Sequence, residues 1–305
     1  MKYQLRHTTR YDYTNDVTLS HNEARILPRD LPWQKVTDTR LYISPQPIRI
    51  RERLDFFGNR VSYFTIQELH SSLEVTLTSQ ITTLPRQLPP VDTAAMSWTD
   101  AIQALRSADS NAARKLLMPD ARLMMLDSDF VRCHELLADY ARQAFTPGAS
   151  LVDAVYAFNQ QIFTEFTYDP EHTTIATPVL EVLESRRGVC QDFAHLAIAC
   201  LRSLGLPARY VSGYMETLPA PGQPKLQGAD ATHAWLAVGV PGWGWLEIDP
   251  TNGTLADERY ITLAWGRDFA DVTPLKGVMS GGGKHQLSVA VDVTPLTDKH
   301  LMELF

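Results

Sequence analysis

The chain has 305 residues, 44% hydrophobic and 21% charged, with a net charge of −7 and an isoelectric point near 5.7. This is globular composition, long enough for one large or two modest domains; the acidic balance argues against a nucleic-acid partner, and no apolar run reaches the roughly 18–20 residues that span a bilayer. Cys133, Cys190 and Cys200 form neither a disulfide framework nor a CxxC pair. The start "MKYQLRHTTRYDY" is polar and alternating, unlike a signal peptide, so the expected setting is a reducing cytoplasm.

Residues 1–88 read as a β-rich domain, a sandwich or partial barrel. "KYQLRHTTRYDY" and "LEVTLTSQITTL" alternate, and "TDTRLYISPQPIRIRERLDFFGNRVSYFTI" is rich in β-branched and aromatic residues, with a hairpin turn at "FFGNRV". His7, His21 and His70 are scattered through it and read as structural. Three prolines in "PRQLPPVDTAAM" mark a boundary near residue 90. A helical connecting region over 89–149 follows, with helices at "SWTDAIQALRSA", "NAARKLLM" and "DFVRCHELLADYARQAF". Cys133 and His134 are neighbours there, but adjacent residues on a helix point apart, so they do not read as a working pair.

The segment 150–276 reads as the core. It opens with a helix at "SLVDAVYAFNQQIFTEF", where Ser150 and Asp153 have capping-box spacing and Val152, Val155, Phe158 and Ile162 share one stripe. Then comes "RRGVCQDFAHLAIACLRSLGLP". The apolar helical pattern begins at Cys190, and Gly205 and Pro207 end it. A helix starting there points unpaired N–H groups and a partial positive charge at the Cys190 sulfur, which favours thiolate, the nucleophilic form. Gly188 allows an unusual backbone angle or a close approach. Cys200 lies within the apolar stripe and reads as core. On position alone, Cys190 reads either as a packed small residue or as a nucleophile.

A nucleophile needs a base, and the base an orienting group. "ARYVSGYM", "THAWLAVGV" and "WLEIDP" are strand-like, and "VPGWG" joins the last two as a turn. His233 and Asp249 are symmetric about Pro241, inside that turn. They would therefore face one another on one face of the hairpin, within reach of an imidazole–carboxylate hydrogen bond. "ITLAWGRDF" fits either helix or strand. The remainder, 277–305, reads as a loop and a returning strand at "HQLSVAVDVTPL". "GVMSGGGKH" within it lacks phosphate-loop spacing and reads as a flexible turn.

"RRGVCQDFAHL", "THAWLAV" and "EIDPTNG", with Cys, His and Asp 43 and 16 residues apart, resemble the three boxes of the transglutaminase-like superfamily of papain-related cysteine enzymes. "LDFFGNRV", "FTYDPEHT" and "GRDFADVTPLKGV" resemble its bacterial members with an N-terminal β region. The resemblance implies an α+β fold: a Cys-bearing helix packed on an antiparallel sheet, preceded by the β-rich domain. It implies Cys190 as nucleophile, His233 as acid/base and Asp249 as orienting carboxylate, with no cofactor or metal. The backbone N–H of Cys190 is the physical candidate for the oxyanion donor. Eukaryotic members use an upstream Trp as second donor; none lies between residues 99 and 189 here. Gln191 and Tyr168 are alternatives for that role, Asp192 and His195 read as supporting the site, and Trp235 reads as core or pocket wall.

The implied reaction is acyl transfer on a peptide or protein amide through a thioester, with hydrolysis favoured. The alternatives are a transglutaminase that passes the acyl group to an amine and a non-catalytic peptide-binding protein of the same fold. By analogy with the family, an association with a peptide-ligase pathway is a further expectation; neither a membrane nor a nucleic acid is expected as partner.

Overall fold

Lys2–Ala24 (β1) alternates buried and exposed residues through its first half and then bends, because its pairing shifts between Asp12 and Val17. The computed structural model describes residues 1–106, 121–217 and 232–296. Around β1 lie Gln34–Ser44 (β2), Arg49–Leu54 (β3), Arg60–Ile66 (β4) and His70–Thr83 (β5), in the antiparallel order β2-β5-β1-β4-β3. The β3–β4 turn carries Gly58 at φ +73°, as the "FFGNRV" turn requires. The helical region holds Val91–Ala94 (α1), Trp98–Arg106 (α2) and Glu135–Arg142 (α3). The last of these starts later than its sequence suggested. His134 caps it, its Nδ1 accepting from the Leu136 N–H at 3.2 Å, while Phe130 is drawn away to stack on His195. "NAARKLLM" lies outside the described residues.

Leu151–Glu165 (α4) is capped by Ser150, whose hydroxyl accepts from the Asp153 N–H at 3.1 Å. Thr167–Tyr168 (β6) and Arg187–Gly188 (β7) pair in parallel on either side of Val179–Ser185 (α5). Cys190–Leu204 (α6) is buried almost all round and ends at Gly205 in the left-handed region. It packs on a second antiparallel sheet: Ala208–Met215 (β8), Thr232–Val240 (β9), Gly244–Asp249 (β10), Thr254–Leu255 (β11) and Tyr260–Gly266 (β12), in the order β11-β10-β9-β8-β12. "ITLAWGRDF" thus divides into β12 and the short helix Phe269–Val272 (α7). The fold is α+β.

The chain then returns to the first sheet. Leu275–Gly281 (β13) and His285–Pro295 (β14) both pair with β1. Most of "GVMSGGGKH", read as a flexible turn, is therefore strand, and only the segment around Gly282 and Gly283 turns. Its glycine-rich pattern has little strand propensity, but the far half of β1 offers a free edge whose backbone groups need partners. None of the helices described is long and apolar enough to cross a membrane.

The two sheets are joined by buried polar contacts. The outer edge of β12 is covered by side-chain amides that imitate a strand. Gln34 accepts from the Thr262 N–H and donates to the Thr262 carbonyl, both at 2.8 Å. Asn59 does the same at Trp265, at 3.0 and 2.9 Å. Their burial without such partners would be costly. The Tyr3 hydroxyl donates to Glu216 at 2.7 Å, and His7 Nδ1 meets the Tyr214 hydroxyl at 2.5 Å. His21 pairs with Thr65 at the surface and His70 with the Glu68 carbonyl.

Burial lowers His7 to about 4, and lowers His195, against the charge of Asp268, to about 4. In both, the unfolded chain binds the proton more readily than the native state. Their contribution to stability is intact above about pH 6.5 and lost as pH falls toward 4, by on the order of 3 kcal/mol per histidine at the acid limit. The urea midpoint is expected to drop steeply over this window, and His7→Gln to remove about half of the drop. Equal pH slopes in the two proteins would contradict this.

Candidate active site

Cys190 is the first residue of α6 and is partly exposed. Its position follows from the local sequence. Val189 is the extended N-cap, and the Asp192 carboxylate reaches back to accept from the Val189 N–H at 2.8 Å. Asp192 also accepts from the Thr173 hydroxyl at 2.6 Å. Gly188 is needed for a close approach: a Cβ there would lie 2.8 Å from the Asp192 carboxylate. Burial raises the Asp192 carboxyl despite these bonds. The first-turn N–H groups of α6, that of Cys190 included, have no intrahelical acceptor and surround the sulfur with positive dipole ends. Cys200, by contrast, is fully buried one face away, and burial pushes its thiol up.

His233 opens β9 and Asp249 closes β10. Val240 pairs with Gly244, so the hairpin turns about Gly242 rather than Pro241. In this register Asp249 comes opposite Trp235, and His233 is its diagonal neighbour. The expected direct pairing is therefore wrong by two residues. An even offset keeps both side chains on one face, and the diagonal is short enough for an imidazole to bridge. His233 Nε2 meets Asp249 Oδ2 at 2.7 Å. The Cys190 thiol also lies close enough to the imidazole to favour its charged form. With Nε2 engaged by Asp249, Nδ1 is the nitrogen left for sulfur.

The carboxylate is saturated with donors. Asp249 is fully buried. Its Oδ2 accepts from His233, from Asn252 Nδ2 at 2.7 Å and from the Tyr260 hydroxyl at 2.7 Å. Its Oδ1 accepts from the Thr251 and Asn252 N–H groups at 2.9 and 3.3 Å. Burial opposes ionisation of Asp249, but His233, Asn252 and Tyr260 outweigh it and hold the carboxyl below its ordinary value. Burial likewise opposes the His233 imidazolium, and the bonds and charges of Asp249 and Cys190 push it up to about 10.

Asn252 and Tyr260 did not emerge from the sequence. Asn252 carried a signal, since it completes a tight turn of the kind that Asp249 begins in "DPTNG". Tyr260 carried none, because it reaches Asp249 from β12, on the opposite edge of β9 and β8. Of the two roles expected for Trp235 the structure gives core: it is fully buried, which corrects its reading as a substrate-pocket wall. It donates to Glu247 at 2.6 Å and stacks beneath His233, with centroids 6.0 Å apart, because residues two apart on a strand share a face. His195 sits away from the sulfur, its Nε2 accepting from the Phe269 N–H at 3.2 Å and its ring stacked on Phe130. Tyr168 is exposed at the rim, paired in β6 against Gly188, and Gln191 is half-buried beside Cys190. Among the described residues no group of three His, Cys, Asp or Glu side chains is placed to hold a metal ion.

The chain matches two family descriptions: the bacterial transglutaminase-like N-terminal region over residues 3–82 and the transglutaminase-like superfamily over residues 138–250. It is 39% identical over 303 residues to an uncharacterized protein of Mycobacterium tuberculosis, covering 96% of this chain and 93% of that one. It is 36% identical over 126 residues to the protein-glutamine gamma-glutamyltransferase of Pseudomonas aeruginosa, covering 40% of this chain and 18% of that protein. The crystal structure of a "putative cysteine protease" from Cytophaga hutchinsonii has the same fold, with a TM-score of 0.73 at 21% identity, covering 98% of this chain and 92% of that one. With both of its regions matched, and with a relative similar along nearly its whole length, the chain belongs to the bacterial transglutaminase-like proteins.

Proposed function

We propose that the protein is a thiol-dependent acyl-transfer enzyme that hydrolyses peptide-like amides, with Cys190, His233 and Asp249 as its catalytic triad. The observation that carries this reading is the 2.7 Å contact of His233 Nε2 with a buried carboxylate that has no spare acceptor capacity, in a chain whose Cys190 heads α6 and acts on the same imidazole.

In the first half-reaction the Cys190 proton passes to His233, and the sulfur adds to the amide carbonyl carbon. The oxygen that gains charge is met by the Cys190 backbone N–H at the start of α6. The imidazolium then protonates the amide nitrogen, the C–N bond breaks, and an amine leaves behind a thioester. In the second half-reaction His233 takes a proton from water as it adds to the thioester. The C–S bond breaks, a carboxylic acid leaves and the thiol is restored. Asp249 holds the imidazole tautomer and stabilises its charged form.

A second reading has an amine in place of water, which would yield a new amide. The similarity to the Pseudomonas aeruginosa enzyme named for that transfer favours keeping it. Incubating the protein with glutamine-containing peptides, with and without a primary amine, and weighing the products separates the two. Free acid in both samples supports hydrolysis, while amine-linked products as the main species would replace it with transamidation. Recovery of unchanged peptide across a broad set would overturn both.

A further inference from the structure

His233 is not the only ring on β9 that reaches diagonally to a carboxylate on β10. Glu247 stands opposite Ala237 in the ladder, so Trp235 is its diagonal neighbour, just as His233 is the diagonal neighbour of Asp249. Trp235 Nε1 donates to Glu247 Oε2 at 2.6 Å. The two pairs repeat one pattern a pleat apart, with the indole at 25° to the imidazole and the ring centroids 6.0 Å apart. The indole is gripped at both ends. Glu247 holds Nε1, and Cη2 lies against Gly213, where a Cβ would come within 2.6 Å of it. The indole also meets the Tyr260 ring edge-on, with centroids 5.3 Å apart.

Glu247 is held in turn from outside its sheet. Arg86, which follows β5, forms an ion pair with it, the side chains being only 10% and 2% exposed. Arg86 Nη2 also donates to the Tyr260 carbonyl and the Thr262 hydroxyl at 3.3 and 3.5 Å. A buried ion pair seldom stabilises a fold more than apolar side chains of the same volume do. Stability of the sheet therefore does not account for a charge pair at this place, whereas the orientation of the indole does.

We propose that Glu247 is a positioning residue for His233, acting through Trp235, and that Arg86 extends this hold to the segment that follows the first sheet. The bond from His233 Nε2 to Asp249 fixes one edge of the imidazole. It leaves the tilt of the ring plane soft, because a carboxylate oxygen accepts over a broad range of directions. A flat ring fixed beneath the imidazole limits that tilt, and with it the direction in which Nδ1 faces the sulfur. The role rests on the acyl-transfer reading, in which His233 takes the Cys190 proton.

The test compares two double variants of the full chain, Arg86→Met with Glu247→Leu and Arg86→Met with Glu247→Gln. Both remove one charge of each sign, so the net charge is unchanged and no buried charge is left unpaired. Arg86 and Glu247 line a cavity of about 460 Å³, together with Trp33, Trp243, Trp245 and Arg209, which gives the new side chains room. Only glutamine keeps an oxygen that can accept from Trp235 Nε1. With leucine, kcat is expected to fall about tenfold while KM changes by less than about twofold. His233 is expected to titrate about one pH unit lower by nuclear magnetic resonance, because a tilted ring bonds Asp249 less well. With glutamine, kcat is expected to stay within about threefold of the unmodified chain. Equal kcat and equal His233 titration in the two double variants, whether both match the unmodified chain or both fall alike, would overturn the proposal. Should the leucine variant not fold, Trp235→Phe takes its place, since it keeps a ring and lacks the donor; unchanged kcat there overturns the proposal as well. Absence of amide turnover in the unmodified chain would instead remove the acyl-transfer reading, and the His233 titrations would still decide whether Glu247 holds the imidazole.

Discussion

Cys190→Ala is expected to lower the turnover of an amide substrate by roughly 10⁴-fold or more while leaving the melting temperature nearly unchanged. The side chain is small, partly exposed and at a helix start, so its sulfur contributes little packing. The chemical loss is large because no other group stands where the sulfur stands, next to His233 and the first-turn N–H groups of α6. The three cysteines also provide an internal comparison. Cys200 is fully buried, and burial raises its thiol; burial and Asp127 raise that of Cys133. Brief treatment with iodoacetamide near pH 6, followed by peptide mass spectrometry, is expected to label Cys190 well ahead of the other two, because their thiols are raised while Cys190 is partly exposed at the start of α6. Labelling of Cys133 at an equal rate, together with an active Cys190→Ala protein, would remove Cys190 from the mechanism.

Asp249→Asn is the second large effect. The substitution keeps the shape and one carbonyl oxygen for the Thr251 and Asn252 N–H groups, but it removes the charge that faces His233. Burial alone lowers an imidazole, and Asp249 is a principal opposing influence, so His233 should fall from about 10 toward or below its ordinary value of 6.5. The imidazole also loses the acceptor that sets its tautomer. A fall in turnover of about 10²–10⁴-fold is expected, with His233 titrating in the neutral range by nuclear magnetic resonance. Stability should fall by about 3 kcal/mol, since the donors left around position 249 are buried and had been matched to a carboxylate. If His233 still titrated near 10 in this variant, the carboxylate would not be its governing partner. Tyr260 and Asn252 act through Asp249 and share in this effect. A carboxylate with all of its acceptor sites filled is held in one orientation, and so is the ring bonded to it.

The first sheet matters to the site for a mechanical reason. β12, which delivers the Tyr260 hydroxyl to Asp249, is the edge strand of the second sheet, and its free edge is covered by Gln34 and Asn59 from the region of the first sheet. An uncovered edge leaves backbone groups unpaired, and a strand in that state frays. The N-terminal region thus holds in place an element that contacts the carboxylate, and it supplies Trp33 and Arg86 to the cavity behind Trp235.

Near-neighbour physics made much of this readable in the chain itself. The alternation of β1, the opening of α6 at Cys190, its end at Gly205 and the Ser150 cap each depend on residues within about one or two turns of each other. The shared face of His233 and Asp249 was readable for the same reason. The pleat has a period of two, so an error of two residues in register leaves the face intact. Distant contacts had no such local signature. The turn centre at Gly242, the burial of Trp235, the capture of "GVMSGG" by the far half of β1 and the approach of Tyr260 from β12 were decided by which surfaces meet across the whole fold. A side chain's period shows which face it lies on, but only packing determines what lies against that face. The sequence by itself therefore singled out Cys190, His233 and Asp249 as the candidate triad and determined which elements present them. The tertiary structure decided what holds those residues in place, and it placed three tryptophans, two arginines and a glutamate from distant parts of the chain around one cavity.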